Sequence, residues 1–176
     1  MNTYIALLRG INVGGKNKLP MKELKALLTK HGLHDIQTYI QSGNVVFSCE
    51  HFDLDMGKLI EAEFGFCPDV MMLTKDQLLT SIKNCPFTAD EGKQLHYYFC
   101  KTQPQISKQA LTEILDEIKK PSESYQLIND VFYLYAPEGI GRSKLAERVE
   151  KKLKVSCTAR NQNTILQLQL MLKEKQ

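Results

Sequence analysis

Ile36-Gln37-Thr38-Tyr39-Ile40-Gln41-Ser42-Gly43-Asn44-Val45-Val46-Phe47-Ser48 decides the fold. Two β-prone runs, Ile36 to Ile40 and Val45 to Ser48, flank a short connection. Its Gly43-Asn44 pair is a hairpin signal. Upstream, Thr3 to Arg9 reads as a buried strand, and Pro20 suits the first turn of a helix whose Met21, Leu24, Leu27 and Leu28 recur at helical spacing. Gly32 followed by Leu33 ends that helix. Downstream, Asp53 is placed to cap a helix carrying Leu54, Met56, Leu59, Ile60 and Phe64, with Gly65 at its end. Asp69 to Leu73 is a further strand, and Thr74-Lys75-Asp76-Gln77 fits a capping box before Leu78, Leu79 and Ile82. The order is β-α-β-β-α-β-α.

Asn84 to Lys93 is polar, contains Pro86 and Gly92, and reads as a linker. The same order then returns. Leu95 to Cys100 is a strand, and Ser107 caps a helix bearing Leu111, Ile114, Leu115 and Ile118. Tyr125 to Ile128 and Val131 to Ala136 form a second tight hairpin across Asn129-Asp130. A helix from about Ser143 carries Leu145, Val149 and Leu153, a short strand runs near Val155 to Thr158, and an apolar last helix follows. The expected architecture is α+β: two ferredoxin-like halves (βαββαβ plus a helix) packed together, with mainly antiparallel sheets. The halves are 1-84 and 94-176, joined by a linker at 85-93.

In an antiparallel split βαβ unit, the first strand ends at the same edge as the first hairpin turn. That brings Leu7-Leu8-Arg9-Gly10-Ile11-Asn12-Val13-Gly14-Gly15-Lys16-Asn17-Lys18 beside Gln41-Ser42-Gly43-Asn44. The loops after the third and fourth strands share the opposite edge. In the second half these are Glu138 to Lys144 and Ala159 to Thr164. Both clusters join glycines to Arg, Lys, Asn, Ser or Thr, and a cleft between the halves is the expected place for a ligand.

Ala6-Leu7-Leu8-Arg9-Gly10-Ile11-Asn12-Val13-Gly14-Gly15-Lys16-Asn17 and Thr38-Tyr39-Ile40-Gln41-Ser42-Gly43-Asn44-Val45-Val46-Phe47 resemble the signatures of a widespread bacterial family of uncharacterised proteins, domain of unknown function 1697. The resemblance extends to Gly139-Ile140-Gly141-Arg142-Ser143-Lys144-Leu145 and Thr158-Ala159-Arg160-Asn161-Gln162-Asn163-Thr164, so it spans nearly the whole chain. Gln162 stands where that family usually has Trp, and the chain has no Trp. The resemblance implies a fold and no chemistry.

Bulk properties narrow the function classes. The 176 residues, 43% apolar and 24% charged, suit one large or two small globular domains. No run approaches the ~18 apolar residues of a membrane span, and a cytoplasmic location with no membrane partner is the expectation. Five scattered cysteines without a C-x-x-C pair argue against a zinc site or a disulfide framework. No metal is expected. The net charge is +3, but Gly141 to Arg160 alone holds seven cations against Glu147 and Glu150.

Gly10 to Asn17 satisfies G-x-x-x-x-G-K, yet Asn17 replaces the Ser or Thr that holds magnesium, and the helix signal starts late. An anion site of looser design is the better reading, with Arg9, Lys16, Arg142, Lys144 and Arg160 supplying charge. Asn12, Asn44, Asn161 and Asn163 would orient the ligand, with Gly14, Gly15, Asn17, Ser42 and Ser143 completing the binding set. No residue is placed to activate Ser42 as a nucleophile, and the sequence names neither a catalytic residue nor a cofactor. The expected function is binding of a small phosphorylated or carboxylate ligand. The alternatives are an enzyme acting on a nucleotide or sugar phosphate, a nucleic-acid-binding module using Tyr98, Tyr133 and Tyr135 on one exposed face, or an oligomeric interaction protein.

Overall fold

The computed structural model describes residues 1–175. The chain divides into two compact units, Met1–Thr80 with Leu166–Gln176, and Ser81–Ile165. The first contains β1 (Asn2–Arg9), α1 (Met21–Lys30), β2 (His34–Tyr39), β3 (Asn44–Cys49), α2 (Met56–Phe64) and β4 (Asp69–Thr74). After α3 (Lys75–Asn84), the second contains β5 (Leu95–Cys100), α4 (Lys108–Asp116), β6 (Ser124–Ile128), β7 (Val131–Tyr135), α5 (Lys144–Leu153) and β8 (Cys157–Asn161), and α6 (Gln162–Lys173) follows.

The two sheets have the same plan. Their strand orders are β2-β3-β1-β4 and β6-β7-β5-β8, and every pairing is antiparallel. This is the ferredoxin-like order, repeated. In unit 1, Ala6, Leu8, Val45 and Phe47 pack against Leu24, Leu28 and Ile60 of the helices. Ile5, Leu7 and Val46, on the opposite face, are also fully buried. Burial on both faces explains why β1 and β3 read as continuous apolar runs. In unit 2, Tyr98, Phe132 and Leu134 meet Leu111, Leu115, Leu145, Val149 and Leu153.

Local signals work where they have a chemical mechanism. Thr74 Oγ1 accepts from the Gln77 amide at 3.1 Å, and the Gln77 side chain accepts from the Thr74 amide at 2.8 Å. That reciprocal pair is the expected capping box. Ser107 caps α4 by accepting from the Ala110 amide at 3.1 Å.

Two elements differ from expectation. The cap of α2 is Asp55, which accepts from the Lys58 amide at 3.1 Å, and not Asp53. Leu54 therefore precedes the helix, where it rests with Leu59 on the core, the arrangement of a hydrophobic staple. The last strand is Cys157–Asn161, so Ala159, Arg160 and Asn161 pair with Tyr98, Tyr97 and His96 rather than forming a loop. An edge strand is held through its main chain on one side, so polar side chains do not betray it. Among the described residues, no helix is long and apolar enough to cross a membrane.

Candidate functional site

The loop after β1 is built from backbone conformations that L-residues resist. Gly10, Asn12, Gly14, Gly15 and Asn17 all have positive φ, between 51° and 74°. Glycine has no Cβ to clash there, and asparagine tolerates the region better than most residues. Val13 and Lys16 form a bridge around Gly14-Gly15, with the Lys16 amide donating to the Val13 carbonyl at 3.0 Å. Positive φ at both central residues is the signature of a type I′ turn. The segment is thus a miniature hairpin, and α1 begins only at Met21, after Pro20. A phosphate loop running directly into a helix on a parallel sheet has a different geometry.

Asparagine side chains hold this shape. Asn12 Nδ2 donates to the carbonyls of Leu19 at 2.9 Å and Gln41 at 2.8 Å, while its Oδ1 accepts from the Leu19 amide at 2.8 Å. Asn17 Nδ2 donates to the Gly10 carbonyl at 3.0 Å. Asn44 is fully buried, and its Nδ2 donates to the Tyr39 carbonyl at 2.9 Å and to Ser42 Oγ at 3.3 Å. The Leu8 amide donates to the Gly43 carbonyl at 2.8 Å. The loop and the turn are therefore one body, clasped by Asn12. Asn12, Asn17 and Asn44 direct their amides at neighbouring groups of that body.

What the cluster presents outward is different. Gly14, Gly15, Lys16 and Lys18 are exposed, as is Ser42 in the neighbouring turn. Arg9 is exposed and lies directly opposite Asp69 in the β1–β4 ladder. Val13 is 66% exposed and Ile40 48%. No acidic residue occurs from Arg9 to Lys18 or from Gln41 to Asn44.

In unit 2 the polar groups gather where β7 and β8 end, beside the start of β5: Leu95 pairs with Tyr135 and His96 with Asn161. Gly139 (φ 103°) leads into a single 3-10 turn, Ile140–Arg142, on which Arg142 is exposed. Ser143 is buried and caps α5, accepting from the Ala146 amide at 3.1 Å. Lys144 is the first helical residue, and exposed. Asn161 ends β8 and caps α6 by accepting from the Thr164 amide at 3.0 Å. Asn163, two residues on, packs against Gly92 so closely that a Cβ there would overlap its side-chain amide.

Sheet alternation separates the two arginines. Arg160 pairs with Tyr97, on the face opposite to the one that carries Tyr98 against α5. Burial lowers its pKa to about 10, and its Nη1 donates to the Ala159 carbonyl at 2.9 Å. The same alternation divides the tyrosines. Tyr98 faces the α4 and α5 core, whereas Tyr133 pairs with Tyr97 on the other side and is fully buried. The exposed aromatic face that the nucleic-acid alternative would use is not formed by these two: Tyr98 and Tyr133 are buried on opposite sides of one sheet.

His96 is the residue that sequence reading passed over. It alternates with Tyr98 and Cys100 along β5, so it belongs to the core side of the sheet. Its Nδ1 is buried without a hydrogen-bond partner, and desolvation lowers its pKa to about 4. The imidazole is therefore neutral at pH 7. A histidine at an inward position of a five-to-six-residue apolar strand was the available signal. Cys100 and Cys157 were also hidden in sequence; they face each other across β5 and β8 with sulfurs 3.4 Å apart and no disulfide between them. Among the described residues, no group of three or more His, Cys, Asp or Glu side chains is placed to hold a metal.

No curated protein matches the chain. Among solved structures, a conserved bacterial protein from Streptococcus pneumoniae is similar in fold, with a TM-score of 0.69 over 97% of this chain and 98% of the other at 22% identity. Residues 1–133 match the model of the family described as protein of unknown function DUF1697, and the chain belongs to that family.

Proposed function

We propose that the protein binds a small anionic ligand, phosphorylated or carboxylate, at the Arg9–Lys18 loop of unit 1. The observation that carries this reading is the conformational cost of an exposed segment. Five positive-φ residues stand within eight positions, of which only Ile11 enters the core. Such cost concentrates at functional sites, where it pre-organises a surface for its ligand. The side-chain amides of Asn12 and Asn17 hold the loop, leaving Gly14, Gly15 and Ser42 to approach the ligand closely and Arg9 and Lys16 to supply charge. Arg142 and Lys144, flanking the buried cap of α5, make a second anion-attracting corner in unit 2, favoured by the helix dipole. Asn44, Arg160, Asn161 and Asn163 serve these corners from behind, as supports.

A thermal-stability screen against nucleotides, sugar phosphates and carboxylates tests the reading. A ligand at 100 times its Kd adds roughly 2.7 kcal/mol to the wild-type protein. Lys16→Ala and Arg9→Ala are expected to abolish most of that gain while leaving the unliganded midpoint nearly unchanged. Arg142→Ala reports on the unit 2 corner by itself. If no anion stabilises the wild type, or if Lys16→Ala and Arg9→Ala respond as the wild type does, the loop is not an anion site.

A further inference from the structure

β5 ends where β8 begins in the unit 2 sheet, and each strand places a cysteine there. Cys100 is the last residue of β5, Cys157 is the first of β8, and the two are register partners. Their sulfurs are in contact at 3.4 Å. Main-chain bonds show which kind of pair this is. The Cys100 amide donates to the Asp130 carbonyl at 2.8 Å, and the Cys157 amide donates to Glu150 Oε1 at 2.9 Å. Neither amide is turned towards the facing cysteine. The next pair outward is bonded, with the Lys101 amide donating to the Ser156 carbonyl at 2.9 Å. Cys100 and Cys157 therefore form a non-hydrogen-bonded antiparallel pair, in which Cα atoms approach to about 4.5 Å. Disulfides span Cα distances of about 4.4–6.8 Å, so this backbone admits one without rearrangement.

Both side chains are buried, yet the pair is close to solvent. β8 is an edge of its sheet, and Lys101, Lys154 and Ser156 beside the pair are exposed. The hydrogen bond with Cys157, and then burial, hold the Cys100 thiol well above its ordinary range, so the closed pair is protonated at pH 7. Opening the first residues of β8 brings both sulfurs to water together. Either cysteine alone would serve as a small apolar core residue. A facing pair adds the capacity for a covalent bond between the strands.

We infer that Cys100 and Cys157 are a redox site, oxidised by a low-molecular-weight disulfide to a reversible cross-strand bond that pins the start of β8 to β5. The exchange takes two steps. With the strand end open, one cysteine loses its proton to solvent and its thiolate attacks a sulfur of the small disulfide, expelling one small thiolate. The other cysteine then loses its proton and attacks the protein sulfur of that mixed disulfide, expelling the second small thiolate. The two released thiolates take up the two protons. Two protein thiols are oxidised and one small disulfide is reduced to two thiols. The Cα spacing of this kind of pair lies at the short end of the range for disulfides, which makes the bond one that a small dithiol reopens.

Oxidised glutathione, incubated with the folded full-length protein, tests this. Remaining thiols are then alkylated in urea, and the chain is cut with trypsin. The expected product is a linked pair of peptides, residues 94–101 and 155–160, that dithiothreitol separates. The oxidised protein should melt about 5 °C higher than the reduced one. Cys157→Ser should show neither the linked pair nor the difference in melting. Cys67→Ser, which removes an exposed thiol of unit 1, should keep both. The inference is overturned if Cys100 and Cys157 are recovered alkylated after treatment, or if they become linked only when oxidation is carried out in urea. Loss of the link in Cys67→Ser also overturns it, and so does an oxidised protein that melts no higher, because the bond then does not secure β8.

Discussion

The two units share a strand order and differ in how they treat polarity. Unit 1 displays a polar loop: the strained, exposed segment is held by the amides of Asn12 and Asn17, while only Asn44, which ties the adjoining turn, and Ser48 are buried polar residues there. Unit 2 draws polar groups inwards, with His96 on the core side of its sheet and Ser143, Glu123, Thr158 and Thr164 buried. The loop after β5, Lys101 to Ser107, contains no glycine, whereas its counterpart after β1 contains three. Duplicated topology therefore fixes where loops can meet, and the residues decide whether a given corner becomes a presenting surface or a buried support. Breaking each unit at its own weak point tests that contrast.

The largest expected effect is at the crowded glycines. Gly43 has a φ of 91°, and an added Cβ would stand 2.7 Å from Ile11 Cδ1 and 2.8 Å from Leu8 Cβ. Both the backbone and the space refuse a side chain, so Gly43→Ala should cost about 3–4 kcal/mol. The crowded glycine of unit 2 is Gly92, just before β5, where the obstacle is Asn163 and φ is not positive. Gly92→Ala should cost about 2–3 kcal/mol. Adding Asn163→Ala should recover part of that loss, because the nearest atoms belong to a side chain. Urea titration of both single variants and of the Gly92→Ala, Asn163→Ala pair decides the matter. If Gly43→Ala is as mild as an ordinary surface change, unit 1 does not depend on that clasped turn.

The next effect separates the units by pH. His96 takes up a proton near its ordinary 6.5 when unfolded but only at about 4 when folded. Between those values the unfolded state binds more protons, so this contribution is full above pH 6.5 and is lost as the pH falls towards 4. The expected loss by pH 5 is about 2 kcal/mol. His31, His34 and His51 of unit 1 are all exposed. Acidification should therefore lower the amide protection factors of β5, β7 and β8 before those of β1 and β3. His96→Leu should flatten the acid limb of stability between pH 7 and 5. An unchanged limb in that variant would show that His96 is not the source.

Much of this arrangement could be read in the sequence, for a physical reason. Met21, Leu24, Leu27 and Leu28 repeat with the helical period and are all buried. The Thr74 to Gln77 capping box and the hairpin turn at Asn129-Asp130 are local codes, decided by residues a few positions apart. The adjacency of the Arg9–Lys18 loop to Gln41 followed from antiparallel topology alone. Less legible was whatever tertiary pairing decides. Arg160 and Asn161 are strand residues because β5 offers them a ladder, and nothing in Ala159-Arg160-Asn161 announces it. Likewise, only the sheet register places Cys157 beside Cys100 and divides Tyr98 from Tyr133. The asparagines were legible as site residues by type, but not as the clasp, since a side-chain amide serves backbone and ligand with the same atoms.

The smallest effect concerns helix caps, where the same ambiguity of type can be tested directly. Asp53 and Asp55 are both capping residues by chemistry, and both precede the apolar run of α2. Only Asp55 accepts the Lys58 amide, and with the helix starting at Met56, Leu54 and Leu59 occupy the two positions of a hydrophobic staple, both packed against the core. Asp55→Ala should therefore cost about 1 kcal/mol, and Asp53→Ala a few tenths at most. The corresponding cap in unit 2, Ser143, is buried, whereas Asp55 is exposed. Removing a buried hydroxyl also leaves an amide without water to replace it, so Ser143→Ala should cost about 2 kcal/mol, near the top of the range for caps. Equal losses for Asp55→Ala and Ser143→Ala would mean that burying polarity in unit 2 gives its caps no additional weight. Equal losses for Asp53→Ala and Asp55→Ala would mean that the start of α2 is set by charge at the helix end, and not by the hydrogen bond that distinguishes the two residues.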